Sequence, residues 1–145
     1  MEKTLAQASP HSREVYGQNP LTAKEVLELA NTNVLILAAT VKPEGKPHLS
    51  PVDLVAVEGS IYLGVDKATA RYKNLKQNPA ITIMIADGWR RQAILQGVAH
   101  FLESKSAQAR KALEAEKEKY GWTTETIAEF TPEKAFTWKS DAEHQ

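Results

Sequence analysis

Apolar and polar residues divide the chain into short periodic blocks separated by turn-forming residues. Residues 1–20 hold two prolines among Gln, Ser, His and Asn without a sustained period, so they read as an N-terminal arm ahead of one domain over residues 21–145. Thr22-Ala23-Lys24-Glu25 has the spacing of a capping box. Val26, Leu27, Leu29 and Ala30 follow at helical intervals, predicting a short helix that ends near Asn31. Asn33 to Val41 is almost continuously apolar, carries β-branched residues and is too short for a typical buried helix. It predicts a strand buried on both faces.

Lys42-Pro43-Glu44-Gly45-Lys46 is a turn by composition, and Pro47 to Val57 returns as a second strand. Pro51, which lacks the ladder donor, fits there only at an edge or a bulge. Glu58-Gly59 forms a hairpin turn. Ser60 to Val65 then alternates Ile61, Leu63 and Val65 against Ser60, Tyr62 and Gly64, the third strand of a meander. Asp66 to Asn78, closed by Pro79, predicts a short helix. Ala80 to Ala86 and Gln92 to Leu102 are strands joined at Asp87-Gly88. Ser104 to Tyr120 is a charged helix with alanines along its packing face, and Ala135 to Trp138 is a closing strand. Short turns between consecutive strands imply antiparallel pairing. About six strands with helices beside them imply a mostly β fold with flanking helices, a barrel rather than a doubly wound sheet.

Composition narrows the chemistry. The 145 residues suit one domain that hides roughly two-thirds of its unfolded surface without staples. Eighteen basic residues balance 18 acidic ones, so no overall field draws the protein to nucleic acid or an anionic membrane. The absence of cysteine excludes disulfides, thiolate zinc sites, iron–sulfur clusters and thiol nucleophiles. The longest apolar run is far short of a membrane span, and Glu2, Lys3 and Gln7 stand where a signal peptide needs an apolar core; a cytoplasmic protein is expected. His11, His48, His100 and His144 show no metal-ligand spacing. There is no G-x-S-x-G elbow, Walker loop or dinucleotide G-x-G-x-x-G. Hydrolase, NTPase and Rossmann functions lack support, and the chemistry must come from other side chains or from a cofactor.

Several ordered pieces carry a resemblance to a known family. They are Ala39-Thr40-Val41, Gly45-Lys46-Pro47-His48 and Ser50-Pro51-Val52, then Ile61-Tyr62, the run from Thr69 through Arg71, Asn74 and Leu75 to Asn78-Pro79, Gln92, and Gly97-Val98-Ala99. In that order and spacing the chain resembles the pyridoxamine 5'-phosphate oxidase-like, FMN-binding split-barrel family over roughly residues 21–103. The resemblance implies a six-stranded antiparallel split β-barrel that works as a homodimer, with FMN in clefts between subunits. By family position, Ser50, Pro51, Val52 and Asp53 line the flavin along the second strand, as do the next residues to Val55, and Leu63 with Gly64 meet it from the third. Arg71 takes the place of a phosphate-binding cation, Thr69 of a hydroxyl, and Gln92 of a glutamine that reaches the flavin. Ser50 stands where the pyridoxamine phosphate oxidases themselves carry an arginine, and their longer C-terminal substrate-binding region is not found here.

The physical chemistry of these residues is compatible with that role. A phosphate needs a cationic fork and neutral donors, which Lys67, Thr69 and Arg71 at a helix start supply together with the helix amides. Taken alone, Lys67, Arg71 and Lys73 could equally be a solvated helix face, and Ser50-Pro51 an ordinary bulge. Trp89-Arg90-Arg91 sits at a hairpin tip, either covering a ligand or simply solvated, and Trp138 is either a flavin contact from the partner subunit or, the preferred reading, a dimer-core aromatic. The expected function is an FMN-dependent oxidoreductase acting on a small molecule, with no side chain required as acid or base. The rivals are a flavin-binding or electron-carrier module without turnover, the same barrel holding a deazaflavin or heme, and a dimeric interaction module that has lost its ligand.

Overall fold

The computed structural model describes residues 20–140, so the expected N-terminal arm, with His11, and the C-terminal His144 lie outside the described residues. Helix α1 spans Ala23–Ala30 and opens with the expected capping box. Thr22 Oγ1 accepts from the Glu25 amide at 3.1 Å, and Glu25 Oε1 accepts from the Thr22 amide at 3.0 Å. Strands β1 (Ile36–Val41), β2 (Pro47–Pro51), β3 (Asp53–Val57) and β4 (Ser60–Val65) follow. Then come α2 (Ala70–Gln77), β5 (Ala80–Asp87), β6 (Arg91–Phe101), α3 (Ala107–Tyr120) and β7 (Thr126–Lys139). Helix α2 starts later than expected because Thr69 acts as its N-cap, and α3 starts after a Ser106 cap and ends at Gly121 in the left-handed region.

All seven strands pair antiparallel in one sheet of order β2-β1-β5-β6-β7-β4-β3. The two outermost strands are neighbours in the chain, separated by Val52 alone. The sheet therefore curls until its first and last strands meet end to end, a split barrel with its seam at Val52. At the seam the Val52 amide donates to the Ile36 carbonyl at 2.9 Å. The single strand expected over 47–57 is thus two strands with different partners: β2 pairs with β1, β3 with β4. Pro51 cannot donate to a continuing ladder, and the chain uses that break to cross from one end of the sheet to the other.

The core lies inside the curl, around the fully buried Leu29, Ile36, Leu54, Leu63, Ile83, Ile85 and Leu95. Helix α3 covers the outer face of the β3–β4–β7 side, where Val55, Tyr62, Ala112 and Ile127 form a second cluster. The other side differs from expectation. Strand β1 is not buried on both faces within the chain; Ile36, Ala38 and Thr40 are buried, while Leu37, Ala39 and Val41 are half-buried.

The closing strand is also longer than its apolar tail suggested. Polar residues break the alternation between Glu129 and Lys134, and Glu133 forms a bulge where the register against β6 shifts. Opposite it stands Gly97, where an added Cβ would lie 2.0 Å from the Thr131 carbonyl oxygen. The outer edge of β3 is closed by side chains instead of a strand. Asn31 exchanges two hydrogen bonds with the backbone of Ala56, at 2.7 and 3.0 Å, as a paired residue would.

Candidate functional site

Helix α2 is anchored on β1 by a buried hydrogen bond from Asn74 Nδ2 to Thr40 Oγ1 at 3.0 Å. One turn earlier this places Arg71 at the seam. Arg71 is only 7% exposed, and its Nη2 donates to the Pro51 carbonyl at 2.6 Å, the Ser50 carbonyl at 3.1 Å and the Ser50 hydroxyl. Its Nε is buried with no partner among the described residues. Burial lowers the guanidinium pKa and the Asp53 carboxylate opposes that shift; the group still carries its charge.

Thr69 caps the same helix: its hydroxyl accepts from the Tyr72 amide at 3.2 Å and donates to the Asp66 carbonyl at 2.7 Å. Lys67 is exposed just before the cap, its amide bonded to Glu125 Oε1 at 3.0 Å. Across the seam, Asp53 pairs in register with Gly64 and accepts from Trp122 Nε1 at 2.7 Å. His48, on β2 opposite Thr40, has a buried Nδ1 with no partner among the described residues.

Of the residues singled out in the sequence, Ser50, Pro51, Val52, Asp53, Gly64, Lys67, Thr69 and Arg71 therefore belong to the seam and the helix start beside it. Val52 and Leu63 turn into the core, Leu63 completely. Gln92 stands apart on β6, three strands from β2, roughly 15 Å at ordinary strand spacing. Its Nε2 donates to the Gly88 carbonyl at 3.3 Å, and its register partner on β7 is Trp138. Trp89, 82% exposed, crowns the adjoining hairpin, which an Asp87–Arg91 ion pair of 2.9 Å braces.

Between these two groups stretches the outer face of β2, β1, β5 and β6. Pro51, Leu37, Met84 and Ile94 form one cross-strand row, and Leu35 and Leu49 beside it are 67% and 64% exposed. Two cavities among the described residues lie elsewhere. One of about 320 Å³ is lined by Val26, Leu27, Ile61 and Phe130 under α1, and another of about 670 Å³ by Asn31, Glu58 and Lys119.

A polar cluster behind the seam has no counterpart in the sequence reading. Glu116, 1% exposed, accepts at Oε1 from the Thr124 amide at 2.8 Å, and both its oxygens meet the Thr124 hydroxyl, at 3.1 and 3.0 Å. It fills the space left by Gly64, where a Cβ would lie 2.0 Å from Oε2. Burial, together with a hydrogen bond shared with Asp53, pushes its carboxyl up to about 7 against the opposing Thr124 bonds. Lys119 donates from Nζ to the carbonyls of Ala30 and Leu54, both at 2.8 Å; burial brings it down to about 8 despite the attraction of Asp53. Tyr120 accepts at its hydroxyl from the Leu54 amide at 2.9 Å, and burial raises its pKa. The one available signal was Gly64, since a lone glycine in a strand marks close approach by another group. Among the described residues no group of three or more His, Cys, Asp or Glu could hold a metal ion, and no helix is long and apolar enough to cross a membrane.

A curled antiparallel sheet whose first and last strands meet at a seam, with a capped helix delivering a buried arginine to it, defines the split-barrel class. The family profile described as pyridoxamine 5'-phosphate oxidase matches residues 22–139, and the chain belongs to that family in its wider, pyridoxamine 5'-phosphate oxidase-like sense. Similar solved structures include the conserved hypothetical protein Rv2991 from Mycobacterium tuberculosis, at 20% identity and a TM-score of 0.69, covering 82% of this chain and 85% of that one. HutZ, the heme storage protein from Vibrio cholerae, is similar at 20% identity and a TM-score of 0.65, covering 78% and 92%. An F420 reductase is similar at 17% identity and a TM-score of 0.60, covering 74% and 93%. At these identities the likeness is one of fold. A search of curated protein sequences gives no match.

Proposed function

We propose that the protein is a cytoplasmic FMN-binding flavoprotein, an oxidoreductase that works as a homodimer on a small-molecule substrate. The observation that carries the reading is Arg71: a buried cation at the seam, at the start of a Thr69-capped helix, with Nε lacking a partner. A phosphate bound there would meet a guanidinium N–H that is otherwise unsatisfied, with Lys67 at hand to add positive charge. The donor set therefore fits the phosphate end of FMN. The bound flavin would supply hydride or electron transfer, while this chain supplies binding, orientation and exclusion of water.

The isoalloxazine needs flat apolar walls, and one chain offers only one. The outer row of Pro51, Leu37, Met84 and Ile94 is such a wall, and a second copy of the same surface across a two-fold axis would close the cleft. That geometry supports a homodimer in which Gln92, far from Arg71 within one subunit, serves the flavin from across the interface.

A second reading, the same barrel holding heme, draws on His48, whose buried Nδ1 lacks a partner among the described residues, and on the structural likeness to the heme storage protein. A deazaflavin is the corresponding reading from the F420 reductase. The visible spectrum of the purified protein, followed by release of the chromophore, tests all three. A yellow protein releasing FMN is expected. A Soret band or a deazaflavin spectrum replaces this reading, and a colourless protein without affinity for added FMN ends it. Turnover with reduced nicotinamide and an acceptor then separates an oxidoreductase from a flavin carrier.

A further inference from the structure

We propose that Glu116, a buried carboxyl set beside Asp53, is a proton-linked control on anion binding at the seam: the pair takes up a proton when a phosphate-bearing ligand meets Arg71. The inference rests on the reading of the seam as a phosphate site, and it assigns a role to residues which that reading leaves unused.

Asp53 is the common neighbour of two groups. It follows Pro51, whose carbonyl takes Arg71 Nη2, by two residues, and it pairs in register with Gly64, in whose open space the Glu116 carboxyl lies. Glu116 cannot leave this contact for water. It is 1% exposed, sits in the space that Gly64 leaves open, and is tethered by the Thr124 amide and hydroxyl. Trp122 donates to Asp53 Oδ2 and fixes that carboxyl in turn. Buried beside a second carboxylate, Glu116 gives up its proton only at a cost. The upward shift of Glu116 to about 7 agrees with the geometry.

Of the other groups around the pair, Lys119 attracts Asp53 without bonding either carboxyl. From its own helix, Lys119 spends its N–H donors on the Ala30 and Leu54 carbonyls, and Tyr120 bonds the Leu54 backbone. Strand β4 presents Gly64 and, two residues before it, Tyr62, whose hydroxyl accepts from Gln108. Strand β7 presents Ile127 and, two residues on, Glu129. In the adjoining loops the Glu125 amide bonds Asp66, and the Lys67 amide bonds Glu125. Arg71 from α2 is the cation at the seam end.

A phosphate carrying up to two negative charges at Arg71 would add a negative field at the seam end of the pair. Its field disfavours the second ionisation of the pair, and by linkage the protonated pair favours the phosphate. Affinity for a phosphate ligand should therefore fall as pH rises through the range in which the pair loses its last proton.

The test is FMN binding by the full-length protein from pH 6.5 to 9, measured for the wild type and Glu116→Gln, with riboflavin as the ligand that lacks the phosphate. Ionisation of the FMN phosphate near pH 6 is common to both proteins. A wild-type affinity that falls about three- to tenfold more than that of Glu116→Gln is expected. Riboflavin should show no such difference, and calorimetry in two buffers of different ionisation enthalpy should show proton uptake only with FMN and only in the wild type. Equal pH profiles for the two proteins, or FMN binding without proton uptake, would overturn the proposal. If neither protein binds FMN, the phosphate-site reading fails by itself. Inorganic phosphate is then added while the Glu116 carboxyl is titrated by NMR, and an unmoved midpoint overturns the linkage as well. Should Glu116→Gln fail to fold, Asp53→Asn serves: it must lower the Glu116 midpoint towards the ordinary glutamate range, and an unchanged midpoint refutes the pair.

Discussion

Arg71 Nη2 lies 2.6 Å from the carbonyl oxygen of Pro51, so the cation proposed to meet a phosphate also fastens α2 to the last residue of β2, at the point where the barrel is split. Structure and binding are thus joined in one side chain.

Replacing Arg71 should separate these two roles. Arg71→Ala leaves the Ser50 and Pro51 carbonyls without their donor and removes FMN affinity together with about 2–4 kcal/mol of stability. Arg71→Lys keeps a charge but not the fork, and should recover part of the stability while leaving FMN binding weakened about tenfold or more. Urea unfolding and flavin fluorescence titration check the two arms. Unchanged FMN affinity in Arg71→Ala would remove the residue from the site.

Gly64→Ala places a methyl 2.0 Å from Glu116 Oε2 and 2.3 Å from Thr124 Oγ1. Both atoms belong to a buried, mutually bonded group that has little room to retreat. A loss of about 1–3 kcal/mol is expected. Shortening Glu116 makes room, so Gly64→Ala combined with Glu116→Ala should cost clearly less than the two changes summed, as a double-mutant cycle in urea would show. Additivity would mean that the two positions do not meet.

Stability should carry the signature of Glu116 in its pH dependence. The ordinary glutamate value is 4.5 and the folded one about 7, so the folded state holds this proton more tightly. Its favourable contribution is complete below about 4.5 and is lost as pH rises through 7, with an upper bound of ~3 kcal/mol. Lys119 acts in a higher window. Its folded value of about 8 lies below 10.5, so stability from this group rises between those values. Urea midpoints at pH 5, 7 and 9 for the wild type and Glu116→Gln check the first claim; the variant should lose the decline between 5 and 7.

A lysine at Leu49 or Leu35 tests the outer face. Both leucines are already mostly exposed in the single chain, so either change should alter the stability of the fold by no more than about 0.5 kcal/mol. Buried in a homodimer, the same charge should split the assembly and weaken FMN binding with it. Sedimentation equilibrium on the wild type, Leu35→Lys and Leu49→Lys reads this directly. A wild-type monomer that retains FMN would dismiss the dimeric cleft.

Much of this protein was legible in local patterns. The capping box at Thr22, the turns at Gly59 and Gly88, the alternation along β4 and β6 and the order of the family motifs depend on residues close in sequence, whose conformational preferences act within a few positions. Arg71, Thr69 and the Ser50-Pro51 pair were singled out by the family resemblance; the structure bonds Arg71 to Ser50 and Pro51 and makes Thr69 the cap of its helix. What the sequence did not disclose is non-local. Pro51 announced an irregularity, but only the closed sheet makes it a seam, because a residue cannot signal that the strand before it and the strand after it take partners at opposite ends of the order. The long closing strand was hidden because the bulge at Glu133 breaks its period, and the partner that tolerates the bulge, Gly97, lies far earlier in the chain. Glu116 read as one more charge on a helix; burial by β4 across the missing side chain of Gly64 changed its chemistry. Short-range propensity and periodicity determined the elements, whereas the seam, the buried Glu116 carboxyl and the bare apolar face arise only when distant segments exclude water from one another.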